Sequence, residues 1–164
     1  MHKIAILLKT YSGDIGYVER LIDSYRNYNR DIIPLYLVVP NSELSQFTKF
    51  IDQNIVLLSD ESVTNFLVND DSVNGIRPGY INQEIIKLAF WEKKFCENYF
   101  CMDSDGVFIK DFFIKDFMYD SETPYSILVE DNEFKVDPEY YYTNWVSREK
   151  LVRKIQSEIG LKDE

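Results

Sequence analysis

Lys3-Ile4-Ala5-Ile6-Leu7-Leu8, followed at once by Lys9-Thr10-Tyr11-Ser12-Gly13-Asp14, is the stretch from which the fold is read. A short apolar run closed by a polar turn containing glycine has the length of a buried strand, not of a helix. Downstream of it, with Asp14 as the N-cap, Ile15, Val18, Leu21, Ile22 and Tyr25 recur at helical spacing and predict an amphipathic helix over 15–29. A second strand is expected over Asp31–Val39, closed by Pro40-Asn41-Ser42. Residues 42–53 then predict a helix with Leu44, Phe47, Phe50 and Ile51 inward, and Asn54–Leu58 a third strand. Strand, helix, strand, helix, strand is the opening of a doubly wound α/β fold with a parallel sheet. Residues 59–78 predict a long loop or short irregular helices, and 79–94 a helix with Ile81, Ile85, Leu88 and Ala89 along one face. A fourth strand, Asn98–Met102, runs straight into Asp103-Ser104-Asp105, and a strand over 126–130 and a helix over 147–159 complete the reading. No repeat, low-complexity segment or linker divides the chain.

Composition narrows the function. The 164 residues carry 18 Lys plus Arg against 28 Asp plus Glu, a net charge of −10 with 45% hydrophobic residues. That suits one domain with a sizeable core. The acidic balance argues against nucleic acid as a partner, since phosphate binding calls for a clustered basic surface. No apolar run approaches the roughly 18 residues of a membrane span, and the N-terminus reads as a strand, not as a signal peptide. The expectation is a soluble, cytoplasmic protein. Cys96 and Cys101, among Phe95, Tyr99, Phe100 and Met102, are expected to be buried free thiols, too few for a disulfide scaffold or structural zinc. Between Asp103 and Glu139 eleven carboxylates face three lysines, so most of the net charge falls in this window. A solvated acidic surface explains the bulk of it, and a cation site would explain a few members.

Asp103 and Asp105 are the few. Carboxylates at i and i+2 past the end of an apolar strand lie where ligands bind in an open α/β sheet, beyond the carboxyl ends of the strands. In an extended segment both would point the same way and reach one cation. Hard oxygen ligands without neighbouring His or Cys suit Mg²⁺ or Mn²⁺ and leave positions for substrate phosphates. Gly106 follows as the fourth residue of the motif, whereas an EF-hand loop needs its glycine at the sixth position. Phe100–Val107 also resembles the haloacid-dehalogenase phosphatase motif, which that family carries on its first strand. Here about a hundred residues precede it, which disfavours that reading.

Three segments recur together and in order: Lys9-Thr10-Tyr11-Ser12-Gly13-Asp14, then Gly79-Tyr80-Ile81-Asn82-Gln83-Glu84-Ile85-Ile86-Lys87-Leu88, then Asp103-Ser104-Asp105-Gly106-Val107-Phe108. As a set, over about residues 3–130, they resemble a bacterial family of GT-A-fold glycosyltransferase-like proteins. The resemblance implies an α/β, GT-A-like (Rossmann-like) three-layer sandwich with a mostly parallel central sheet, using a nucleotide-diphosphate sugar as donor. It implies that Thr10 and Tyr11 cup the nucleoside, with Tyr11 able to stack on the base. Gln83 and Lys87, at i and i+4 on one helix, would meet a sugar hydroxyl and the diphosphate, with Arg77 and Ser104 also on the donor. Asp103 and Asp105 would carry Mn²⁺ or Mg²⁺, and Glu130 or Asp131 would be the base on an acceptor hydroxyl.

The same resemblance marks departures. GT-A enzymes commonly take a further metal ligand, often His, from the C-terminal half, and the sole histidine here is His2. Only 59 residues follow Asp105. The expectation is one nucleotide-sugar-binding domain over 1–164, cut short at its C-terminal end or minimal, that folds and binds donor but transfers sugar inefficiently. The alternative is a nucleotide-sugar-binding fragment or interaction module without turnover. The expected acceptor is a glycan, lipid or protein. The run Tyr140-Tyr141-Tyr142 with Trp145 would pack, stack on sugar, or face a second copy of the chain in a homo-oligomer.

Overall fold

Strand β1 (His2–Lys9) buries every residue from Ile4 to Lys9, as a strand with neighbours on both edges and helices on both faces must. In the computed structural model, which describes residues 2–69, 76–125 and 138–141, β1 pairs in parallel with β2 (Leu35–Val39) and β4 (Cys96–Met102). β3 (Ile55–Ser59) pairs in parallel with the far side of β2, giving the order β3-β2-β1-β4. The fold is an α/β, Rossmann-like sandwich with an all-parallel four-stranded sheet. The chain divides into two units, Met1–Tyr125 and Ser126–Glu164.

Alternation along β1 and β2 assigns the two faces. Ile4, Ile6, Leu8, Leu35, Leu37 and Val39 pack on one side against α1 (Ile15–Tyr28), through Val18, Leu21, Ile22 and Tyr25, and against Phe47 of the short α2 (Leu44–Phe47). Ala5, Leu7, Tyr36 and Val38 pack on the other against Val63 of α3 (Asp60–Val63), Ile86 of α4 (Pro78–Ala89) and Phe90. Pro78 occupies the first turn of α4, where its missing N–H costs nothing.

Several expectations shift, each for a physical reason. β2 begins at Leu35 because Pro34 offers no N–H and Ile32 sits at φ 56°, while the Asn29 side chain brackets Ile33 through its N–H and its carbonyl. The helix expected over 42–53 is broken into 3₁₀ turns around α2, and Ile51 is exposed, not inward. On α4 the inward residue is Ile86, whereas Leu88 is 73% exposed. The helix ends at Ala89 and tightens into a 3₁₀ turn closed by Lys94 at positive φ. Cys96 is buried, which pushes its thiol up to about 11, but Cys101 is exposed. The strand expected over 126–130 and the helix over 147–159 lie outside the described residues. Of the aromatic run, Tyr140 and Tyr141 belong to one helical turn of the second unit, α5 (Pro138–Tyr141). Among the described residues no helix is long and apolar enough to cross a membrane.

The contrast on α4 is measurable. Ile86→Ala should destabilise by about 2–4 kcal/mol, and Leu88→Ala should stay within about 0.5 kcal/mol, read from urea unfolding midpoints.

Candidate functional site

Parallel pairing places Leu8 beside Met102 and Val39 beside Ser59, so the residues after each strand arrive at one edge. They enclose a cleft of about 840 Å³. Thr10 and Tyr11 follow β1, Pro40 follows β2, Asp60 follows β3, and Asp103 and Asp105 follow β4; all six line it. Gly79, Tyr80 and Gln83 of α4, with Arg77 as its N-cap, form the opposite wall. Asn82 braces that wall, its amide bonding both the N–H and the carbonyl of Val68 (2.7 and 3.0 Å).

The floor holds an ion pair. Lys9 Nζ lies 3.1 Å from Asp60 Oδ1, with side chains only 7% and 8% exposed, and it donates to the Thr10 carbonyl at 2.8 Å. The pair links the ends of β1 and β3 across the end of β2. Burial pushes the Asp60 carboxyl above the ordinary carboxylate range, and Lys9 pulls against that shift. The Thr10 hydroxyl is buried beside it with no hydrogen-bond partner among the described residues.

The loop after β1 is built to hold an aromatic ring. A Cβ on Gly13 would come within 2.4 Å of Tyr11 Cε2, so glycine here lets the Tyr11 ring lie over the backbone. The ring stays 52% exposed on the cleft. Glu43 accepts from the Ser12 N–H, and Glu61 from the Asn41 N–H, fastening each strand-end loop to the next. Asp14 is the N-cap residue of α1 by position, but its carboxylate makes no capping bond. It accepts instead from the Ser104 hydroxyl at 2.7 Å, tying the start of α1 to the Asp103–Asp105 turn.

That turn is tighter than an extended segment. The Gly106 N–H donates to the Asp103 carbonyl at 3.1 Å, closing a four-residue turn, and a Cβ on Gly106 would meet Met102 Cε at 2.9 Å. The two carboxylates therefore do not share a direction through strand alternation, yet both line the same cleft. Beyond the turn, Phe108 donates its N–H to Ser24 Oγ of α1 and stacks on Phe112, which fixes the exit of the chain. Lys87 Nζ is 3.0 Å from Asp103 Oδ1 and Gln83 Nε2 is 3.4 Å from the same oxygen. Gln83 and Lys87 thus share a face as expected. Gln83 lines the cleft, whereas Lys87, paired with Asp103, lies outside the lining. Glu130 and Asp131 lie outside the described residues. His2 opens β1 at the opposite edge of the sheet.

Asp103 and Asp105 suit a hard divalent cation. Among the described residues no group of three or more His, Cys, Asp or Glu forms a fuller site. Two carboxylates with the remaining positions left to phosphate and water is the usual provision for Mg²⁺. Five carboxylates and two cations, Lys9 and Arg77, line the cleft. The residues that sequence reasoning missed are Lys9, Asp60, Asp14 and Glu43. Lys9 carried a usable signal, being the charged residue on which an otherwise apolar strand ends.

Breaking the floor pair by Asp60→Ala should cost about 3–5 kcal/mol by stranding a buried ammonium. Lys9→Met combined with Asp60→Leu should recover most of that loss, as measured by chemical denaturation.

No curated protein matches the chain. Residues 2–155 match a family of unknown function, DUF6492. That match spans nearly the whole sequence, and the chain belongs to the DUF6492 family.

Proposed function

We propose that this chain binds a nucleotide-diphosphate sugar with Mn²⁺ or Mg²⁺ and acts as a metal-dependent glycosyltransferase in the cytoplasm. The observation that carries the reading is the opening of Asp103 and Asp105 into the same strand-end cleft as Thr10 and Tyr11. The charge of the cleft supports it. A bare diphosphate would be repelled by the five carboxylates around it, and a divalent cation reverses that sign locally.

Each residue then has a task. The half-exposed Tyr11 ring, held over Gly13, offers a stacking face to the base, and Thr10 lies beside it on the floor. Arg77 supplies a guanidinium for diphosphate oxygens, and Gln83 presents an amide to a sugar hydroxyl. Asp103 and Asp105 would hold the cation, which when bound neutralises charge as the nucleotide departs. Ser104 shapes the turn through Asp14. The acceptor hydroxyl would belong to a glycan, lipid or protein.

Nucleoside diphosphate binding should require Mn²⁺ or Mg²⁺ and weaken by about 10–100-fold in Asp103→Ala, the equivalent of about 1.5–3 kcal/mol for a charge-assisted contact. Isothermal calorimetry with and without chelator reads this directly. Equal affinity in the presence of chelator would contradict the reading.

A further inference from the structure

We propose that Lys87 is a resident counter-ion that keeps Asp103 closed to a free divalent cation, so that the cation enters only together with the nucleotide diphosphate. This rests on the metal-dependent reading above and concerns the order in which its components bind.

Lys87 does not behave as a loose surface lysine. Its side chain is 20% exposed, and its ammonium lies 3.0 Å from Asp103 Oδ1 and 3.6 Å from Glu84. Its carbonyl accepts the Tyr99 hydroxyl at 2.7 Å, so the residue is fastened by its backbone to β4, the strand that leads into Asp103. Gln83 Nε2 approaches the same Asp103 oxygen at 3.4 Å. One oxygen of Asp103, a carboxylate whose side chain is 66% exposed, is thus already paired with an ammonium that lies outside the cleft lining. A dication arriving alone meets that ammonium at Asp103, and of the motif's two carboxylates Asp105 is the one without an ion-pair partner among the described residues. A dication already bound to a diphosphate carries little or no net positive charge, and that repulsion largely disappears.

The test titrates Mn²⁺ into the whole chain and follows free Mn²⁺ by electron paramagnetic resonance, alone and then with uridine diphosphate or guanosine diphosphate, each against a protein-free titration of the same nucleotide so that only Mn²⁺ taken up by the protein is counted. Wild type should bind Mn²⁺ weakly alone and tightly with nucleotide. Lys87→Met should bind Mn²⁺ alone about tenfold more tightly than wild type or better. Lys87→Gln should show the same direction of change, and Lys87→Arg, which keeps the charge, should match wild type. If Lys87→Met and Lys87→Gln bind Mn²⁺ no more tightly while wild type still takes up Mn²⁺ with nucleotide, the counter-ion role is overturned and the metal-dependent reading stands. Wild type binding Mn²⁺ equally well with and without nucleotide overturns the role in the same way. If no protein takes up Mn²⁺ under either condition, the metal-dependent reading falls and this inference with it.

Discussion

In a parallel sheet every strand ends at the same edge, and here the register of β1 against its two neighbours decides which residues meet there. Leu8 stands beside Met102 and Lys9 beside Val38, so Thr10 and Asp103 emerge at the same edge although they are 93 positions apart in the chain. A slip of one residue would also turn the faces of β1 over, moving Ile6 and Leu8 from the α1 side to the α4 side. The burial of β1 on both faces and the geometry of the cleft are therefore one constraint. Packing of α1 on one face and α4 on the other stabilises a single register, and that register assembles the cleft.

Four carboxylates that lie outside the acidic window of residues 103–139 are structural around this edge. Asp60 answers the buried Lys9, Glu43 and Glu61 accept backbone N–H groups of the neighbouring loops, and Asp14 accepts from Ser104. Carboxylates suit this work because unpaired N–H groups cluster where strands give way to turns, and a charged acceptor makes a stronger bond there than a neutral one. The result is a set of loops cross-braced to one another before any ligand arrives. Preorganisation of this kind lowers the entropy cost of binding.

The fold was legible where period and burial agreed. The apolar run of β1 and the helical spacing of Ile15 to Tyr25 both led to the elements found, because each buries a continuous face. Reading failed where local chemistry overrode periodicity. Pro34 and the left-handed Ile32 delay β2, and the 3₁₀ turns around α2 leave Ile51 outside. On α4, Leu88 fitted the spacing but the sheet lies under Ile86, a difference of about 200° around a helix that the pattern alone did not resolve. At the site, Asp103 and Asp105 were legible from their place after a strand, and Thr10, Tyr11, Arg77 and Gln83 through the family resemblance; all six line one cleft. The tasks of Lys9 and Asp60 were not, since a buried pair between residues 51 positions apart is a property of strand order. Lys87 was read on the helix face that it shares with Gln83, and its ammonium pairs with Asp103.

The central claim is that the strand-end cleft holds a nucleotide and a divalent cation together. A crystal of the protein grown with Mn²⁺ and a nucleoside diphosphate, measured at a wavelength where manganese scatters anomalously, tests it most directly. The account predicts an anomalous peak at the carboxylates of Asp103 and Asp105, diphosphate density beside it, and a base against Tyr11. A nucleotide bound elsewhere, or seated in the cleft with no manganese at those carboxylates, would contradict it.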